Sequence, residues 1–263
     1  MTIDYEKLFK PFMDEAADAA GQIALQYFRK EIPIDSKDDK SPVTEADREI
    51  EQRLRALIAK KFPNHGIVGE EFGSVNEKAE FVWVIDPIDG TRAFMTGRPQ
   101  FGLILGLMHN GSPVAGCIDQ PFTKERWFGI DNKVATHNGA RIKVATPRKL
   151  EESRLYAGAP LAFLGENFDA YITLCRAAKW TQYNGDCYAY GLLAMGFADV
   201  IVEQHLKIFD VAGVAPIVTG AGGFITDWDL KPLGFDFSGY VVASTSKELA
   251  AAAIKIFKED ELQ

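Results

Sequence analysis

The chain of 263 residues has only three cysteines, Cys117, Cys175 and Cys187, odd in number and far apart. That argues against a disulfide framework and suits a reducing compartment. No apolar run reaches the length of a membrane span. Asp4, Glu6, Asp14 and Glu15 precede any long apolar stretch, so no signal peptide is expected and the chain reads as cytoplasmic. Repeats, low-complexity tracts and linkers rich in Pro, Gly or Ser are also missing. A basic excess is absent too: the net charge is -8, which argues against a nucleic-acid-binding surface with clustered Lys and Arg. An anionic small substrate stays open, because bound divalent cations can reverse a local field. What the chain does have is the composition of an ordinary globular protein, 47% hydrophobic and 25% charged. At this length it can bury a sizeable core, as one large domain or two packed halves.

The most unusual stretch is Trp83-Val84-Ile85-Asp86-Pro87-Ile88-Asp89-Gly90-Thr91-Arg92-Ala93-Phe94, an apolar run that delivers two carboxylates, a glycine and a hydroxyl into one turn. Residues 81–85 read as a strand buried on both faces, since aromatic and β-branched residues follow one another without alternation. Asp86 then lies at the carboxyl end of the strand, where open α/β sheets place their ligands. Pro87 stops the ladder, Gly90 permits a close approach or positive φ, and Thr91 is a candidate cap for a following helix. Two acids on so stiff a turn repel each other unless a cation lies between them, and hard oxygen ligands favour Mg²⁺. The competing reading is an ordinary turn and cap with both aspartates solvated.

Leu8, Phe12, Ala16, Ala20, Ile23 and Tyr27 recur at helical spacing, so the first thirty or so residues predict one amphipathic helix. A polar loop is expected over 32–40. Ile50, Leu54, Leu57 and Ile58 mark a second helix ending before Pro63, for which Thr44 and Asp47 resemble a capping box. Residues 67–68 form a short strand ending in Gly69-Glu70-Glu71. Residues 101–108 and 114–118 predict a hairpin around Asn110-Gly111. Strands over 126–130 and 140–144 follow, with a turn at His137-Asn138-Gly139, so this half reads as helices on a mostly antiparallel sheet. After Pro147, strands over 154–157, 181–183, 199–203, 224–226 and 240–243 alternate with helices over 168–178, from Gly185 to about 195, and over 210–219. The 210–219 helix is expected to persist despite Pro216 and to end at Gly222-Gly223. Thr245 and Glu248 suggest a capping box for a last helix. The boundary is drawn at residue 146, giving halves 1–146 and 147–263.

Three element ends therefore carry acids: Glu70-Glu71, Asp86 with Asp89, and Asp210. Together they could supply the oxygen shell of two divalent ions, which can hold a phosphate ester, activate a water and stabilise the leaving oxygen. A helix amino terminus after Gly90-Thr91 would add N–H donors for phosphate.

Trp83-Val84-Ile85-Asp86-Pro87-Ile88-Asp89-Gly90-Thr91 resembles the first signature of the inositol monophosphatase family, and Phe209-Asp210-Val211-Ala212 through Ala221-Gly222-Gly223 its second. Gly69-Glu70-Glu71 and Val43-Thr44-Glu45-Ala46-Asp47 match its other acidic segments in the same order, so the resemblance covers nearly the whole chain. It implies a layered α-β-α-β-α sandwich of the sugar-phosphatase kind, α+β to α/β in class, with an antiparallel sheet half followed by a mixed-sheet half. It also implies a homodimer and two to three Mg²⁺ ions per site. By the family pattern, Glu70, Asp86 and the Ile88 carbonyl hold one ion. Asp86, Asp89 and Asp210 hold a second, and a third, weaker ion lies near Glu70. Glu70 and Thr91 orient the attacking water, Asp47 supports Thr91 as a candidate base, and Gly90 and Thr91 offer N–H groups to phosphate. A metal-activated water attacks phosphorus in line, with no phosphoenzyme. Glu71 is read as an outlying or surface acid.

Glu203 stands seven residues before Asp210, the spacing of a substrate-binding glutamate in the family. Asp186 aligns with a loop lining the same pocket, or is a helix N-cap. Acids at both places suit a substrate bearing an amine. Where the family usually continues Asp-Gly-Thr with Thr-Asn-Phe, this chain has Arg92-Ala93-Phe94. With Gly185-Asp186-Cys187-Tyr188-Ala189-Tyr190-Gly191, that resembles the histidinol-phosphate phosphatase branch. Gly220 departs from the glutamate often found there. Cys187 itself reads as a small buried apolar residue. The expected function is therefore Mg²⁺-dependent hydrolysis of L-histidinol phosphate, a small-molecule partner, with no nucleic acid and no membrane involved. The rivals are an inositol phosphatase or other small sugar or nucleotide monophosphatase, and a catalytically silent regulatory protein on the same fold.

Overall fold

A computed structural model describes residues 3–31, 34–36, 42–165 and 167–260. Helix α1 (Tyr5–Tyr27) opens on Asp4, whose carboxylate accepts the Lys7 N–H at 3.1 Å. Its buried face is Phe9, Phe12, Met13, Ala16, Ala20 and Ile23, while Leu8 is 55% exposed, so the expected inward stripe is off by one residue at its start. The reason is aromatic packing: Phe9 and Phe12 meet Trp83 edge-on, with Phe12 at 4.9 Å between centroids. Of the loop expected over 32–40, only 34–36 lies among the described residues, as strand β1 (Ile34–Ser36). It pairs antiparallel with β2 (Pro42–Thr44). Helix α2 (Glu45–Lys61) follows directly and buries Ile50, Leu54 and Ile58.

Strands β3 (Gly66–Gly69), β4 (Gly73–Val75) and β5 (Phe81–Asp89) precede the short helix α3 (Thr91–Met95). Then come β6 (Gly102–His109), β7 (Ser112–Gln120), β8 (Glu125–Ile130), β9 (Val134–His137) and β10 (Ala140–Arg141). These form an eight-stranded sheet of order β10-β9-β8-β7-β6-β5-β3-β4, antiparallel except at β3 against β5. The expected hairpin is present, with His109 paired to Ser112 across Asn110-Gly111. Strands β4 and β9 have no counterpart in the sequence reading, and the strand expected over 140–144 shortens to Ala140–Arg141. Both β4 and β10 are exposed edge strands, where no apolar pattern is needed.

The remainder runs β11 (Arg154–Ala157), α4 (Phe168–Ala177), β12 (Trp180–Tyr183), α5 (Asp186–Ala194), β13 (Val200–Glu203), α6 (Ile208–Val211), α7 (Ala215–Gly220), β14 (Phe224–Thr226), β15 (Val241–Ser244) and α8 (Lys247–Asp260). Its five strands form a mixed sheet, β12-β11-β13-β15-β14, parallel across β12, β11 and β13 and antiparallel beyond. The single helix expected over 210–219 is two. Pro216 has no N–H to give to the carbonyl four residues back, so the ladder breaks and Pro216 lies in the first turn of α7. The last helix is capped by Ser246 rather than Thr245: its hydroxyl accepts the Leu249 N–H at 3.2 Å.

Helices α1 and α2 cover one face of the large sheet, α5 to α7 fill the space between the sheets, and α4 and α8 cover the far face of the smaller one. The layers are thus α-β-α-β-α. The middle apolar cluster takes Ile104, Ile118 and Trp127 from the large sheet and Tyr190, Leu193, Ile201 and Val241 from the second half. No helix among the described residues is long and apolar enough to cross a membrane.

Candidate active site

In a regular strand, residues three apart point to opposite faces. Asp86 and Asp89 escape that rule because the register slips between them. Asp86 pairs with Ile104 and Asp89 with Gly102, so β5 spends three residues where β6 spends two. The extra residue is a bulge at Pro87-Ile88, which cannot be a regular ladder since Pro87 has no donor. Pro87 therefore interrupts the ladder without ending the strand. Asp86 Oδ1 accepts the Ile88 N–H at 3.1 Å, and Thr91 Oγ1 donates to the Ile88 carbonyl at 3.1 Å. Thr91 is the first helical residue; the cap position belongs to Gly90, at φ +78°. A Cβ on Gly90 would lie 2.7 Å from the Gln100 carbonyl oxygen and 3.1 Å from the Asp186 carboxyl, so only glycine fits.

Asp210 reaches the same place from the first turn of α6, its Oδ2 accepting the Lys207 N–H at 2.5 Å. Carboxylate oxygens of Asp86, Asp89 and Asp210 all lie within 4.8 Å of one another. Glu70 follows β3, and its N–H donates to the Ile85 carbonyl at 3.2 Å, which carries the parallel ladder up to Asp86. Burial first, then the charges of Glu70, Asp89 and Asp210, push the Asp86 carboxyl well above the usual carboxylate range. Burial and Asp210 raise Asp89 to about 7, against the opposing N–H of Cys187. Asp210 likewise rises to about 7, chiefly through burial, with Glu70 and Glu203 adding to it. Such a set of oxygen donors takes up either protons or a hard cation.

A second pair of acids adjoins the first. Asp186 begins α5 in the left-handed region, at φ +45°, a conformation that costs energy for a residue with a side chain. Burial and Asp89 raise it to about 7, while Arg98 and Arg92 pull it down. Glu203 ends β13 and is also raised to about 7 by burial, opposed by a hydrogen bond from Tyr190, whose hydroxyl donates to Oε2 at 2.7 Å. Arg92 is exposed on α3 and reaches this pair only through its charge on Asp186. Asp47 is buried, and its Oδ2 accepts both the N–H and the hydroxyl of Thr44, at 2.8 and 2.6 Å, which is the capping geometry. Glu71 has its N–H bound to Glu51 Oε2 at 2.7 Å.

Sequence reasoning missed Cys187, Tyr190, Arg98 and Glu51. Cys187 is buried as expected, yet its N–H is spent on Asp89. Glu51, fully buried on α2, accepts the N–H groups of Glu71 and Phe72 and the Arg55 Nε, and so holds the turn that carries Glu70. Its signal was an acid on the apolar stripe of α2, one residue after Ile50.

The profile of the inositol monophosphatase family matches residues 4–261. The chain belongs to the inositol monophosphatase family. It is 42% identical over 245 residues to the bifunctional phosphatase IMPL2, chloroplastic, of Arabidopsis thaliana, covering 92% of this chain and 71% of that one. It is 34% identical over 234 residues to the histidinol-phosphatase of Chlorobaculum parvum, covering 88% and 90%. Among solved structures, an inositol monophosphatase from Zymomonas mobilis superposes with a TM-score of 0.88 at 38% identity, over 98% of this chain and all of that one. As an inositol monophosphatase family member the protein is a phosphatase acting on phosphate monoesters, and the cluster of Asp86, Asp89 and Asp210 provides the oxygen donors that a metal-dependent phosphatase requires.

Proposed function

We propose that this phosphatase is Mg²⁺-dependent and hydrolyses L-histidinol phosphate to L-histidinol and phosphate, as a cytoplasmic homodimer serving histidine biosynthesis. The observation that carries the substrate assignment is the second acidic pair. Asp186 and Glu203 are additional to the Asp86, Asp89 and Asp210 cluster, and both are raised to about 7 chiefly by burial, Asp186 even with Arg98 and Arg92 acting against the rise. A substrate amine would pair with these buried acids, whereas a neutral polyol would bring them no charge. The similarity to the Chlorobaculum parvum histidinol-phosphatase supports the same reading.

The cluster fits Mg²⁺ on its chemistry: every donor is an oxygen, the site is buried, and its carboxyls are driven to bind protons where a cation would otherwise sit. We assign Glu70, Asp86 and the Ile88 carbonyl to one ion, Asp86, Asp89 and Asp210 to a second, and a place near Glu70 to a third, weaker ion that would be held largely through water. Bound there, Mg²⁺ would neutralise phosphoryl oxygens and lower the pKa of an attacking water. Thr91 gives its hydroxyl proton to the Ile88 carbonyl, so its lone pairs are left to accept from that water together with Glu70. The N–H groups of Gly90 and Thr91, at the start of α3, would donate to the phosphate. Asp47 is the supporting acid and candidate base. It holds Thr44 at the end of strand β2, which packs beside α3, the helix that begins at Thr91.

A panel of esters with Mg²⁺ tests the reading. L-Histidinol phosphate should be hydrolysed with a kcat/KM at least about tenfold above inositol 1-phosphate, sugar phosphates and nucleoside monophosphates. Much faster turnover of inositol 1-phosphate would support the second reading, an inositol monophosphatase, which the likeness to the Zymomonas mobilis enzyme favours.

A further inference from the structure

Tyr190 lies on α5 one turn beyond Cys187, on the face that looks towards β13. Its ring is buried in the apolar cluster between the sheets, yet its hydroxyl ends on a carboxylate, 2.7 Å from Glu203 Oε2. Burial and the charge of Glu203 push the phenol further above its usual range, so Tyr190 stays a donor across the working pH. The next turn of the helix back donates from the Cys187 N–H to Asp89. A single rigid helix therefore holds one acid of the metal cluster and one acid of the outer pair in a fixed relation.

We propose that Tyr190 is a positioning residue for substrate selection: by occupying Oε2 of Glu203 it fixes the carboxylate and leaves Oε1 directed to the substrate. The inference rests on the reading of Glu203 as a substrate-binding acid. A free glutamate samples several rotamers, and its ordering opposes binding. Here that ordering is done by the fold, because the ring of Tyr190 cannot move without disturbing its neighbours in the core. The hydroxyl also opposes the rise that burial imposes on the Glu203 carboxyl. No atom of Tyr190 needs to meet the substrate.

Tyr190→Phe removes one oxygen and keeps the ring, so its effect is read on a folded enzyme. With Mg²⁺ present, kcat/KM for L-histidinol phosphate should fall by about 10- to 100-fold, mostly through KM. For 4-nitrophenyl phosphate, which has no amine, it should fall by less than about threefold. The double variant Tyr190→Phe/Glu203→Gln should lose little more than Glu203→Gln alone, since the hydroxyl acts through that carboxylate. Equal losses on both esters, or additive losses in the double variant, would overturn the role. The coupling is measured on whichever ester the wild type turns over fastest. A wrong substrate assignment then shows in the wild-type panel, and a wrong assignment of Tyr190 shows as additivity.

Discussion

Asp89 is the residue on which the two acidic sets meet. It shares the cluster with Asp86 and Asp210, accepts the Cys187 N–H, and contributes to raising Asp186. Asp89→Asn keeps the size but replaces a carboxylate oxygen by a group that donates and cannot ligate. Phosphate release at saturating Mg²⁺ should drop by at least about 100-fold with the circular dichroism unchanged. Activity close to wild type would remove the basis for a two-metal site. Asp86, Asp89, Glu70 and Asp210 were legible as a set because each places an acid at or beside the end of an apolar element. Cys187 and Tyr190 were not, because their polar atoms act from inside a helix whose residues look like core.

At the scale of elements, Asp210 depends on a trough in the large sheet. Gly106, Gly116 and Gly129 are register partners on β6, β7 and β8, so three missing side chains line up across the sheet. The backbone from Ala212 to Ile217, joining α6 to α7, lies against them: a Cβ on Gly106 would sit 2.7 Å from the Ala212 carbonyl carbon, and one on Gly116 would overlap the Gly213 carbonyl. Gly116→Ala should destabilise the protein by about 2 kcal/mol through overpacking. It should also raise the Mg²⁺ concentration for half-maximal activity, because the displaced segment begins two residues after Asp210. Denaturant unfolding and a Mg²⁺ titration measure the two effects, and a variant with wild-type Mg²⁺ dependence would show that the trough does not seat the site. The periodicity of 210–219 read as one helix because helical pattern continues through the break. What divides it, Pro216, acts through a hydrogen bond that a pattern of apolar residues does not record.

For the whole molecule, the raised carboxyls couple stability to pH and metal. Asp89 and Asp210 stand at about 7 in the folded chain against an ordinary 3.8. Between those values the folded state binds protons that the unfolded state has released, so stability falls as pH rises from about 4 to about 7 and is then level. Mg²⁺ must displace the same protons below about 7. Its gain in melting temperature should therefore grow from pH 5 to pH 7.5 and then flatten. A Mg²⁺ effect of equal size at pH 5 and pH 8, read by thermal unfolding, would contradict protonated carboxyls in the metal-free cluster.

The sequence by itself determined the long helices, the change after Pro147 from an antiparallel pattern to strands alternating with helices, the Asn110-Gly111 hairpin and the acids at element ends. These are carried by periodicity, turn chemistry and residue type, all of which act over a few neighbouring residues. Only the tertiary structure decided how those acids face one another. The slip of one residue between Asp86 and Asp89 turns both to one side, the glycine trough brings in Asp210, and α5 ties Asp89 to Glu203 through Cys187 and Tyr190. The edge strands β4 and β10 and the cap at Ser246 were likewise settled by pairing and packing rather than by pattern. The physical reason is the same in each case: the free energy that fixes these positions comes from contacts between segments far apart in the chain, while a linear pattern reports only what each segment prefers alone.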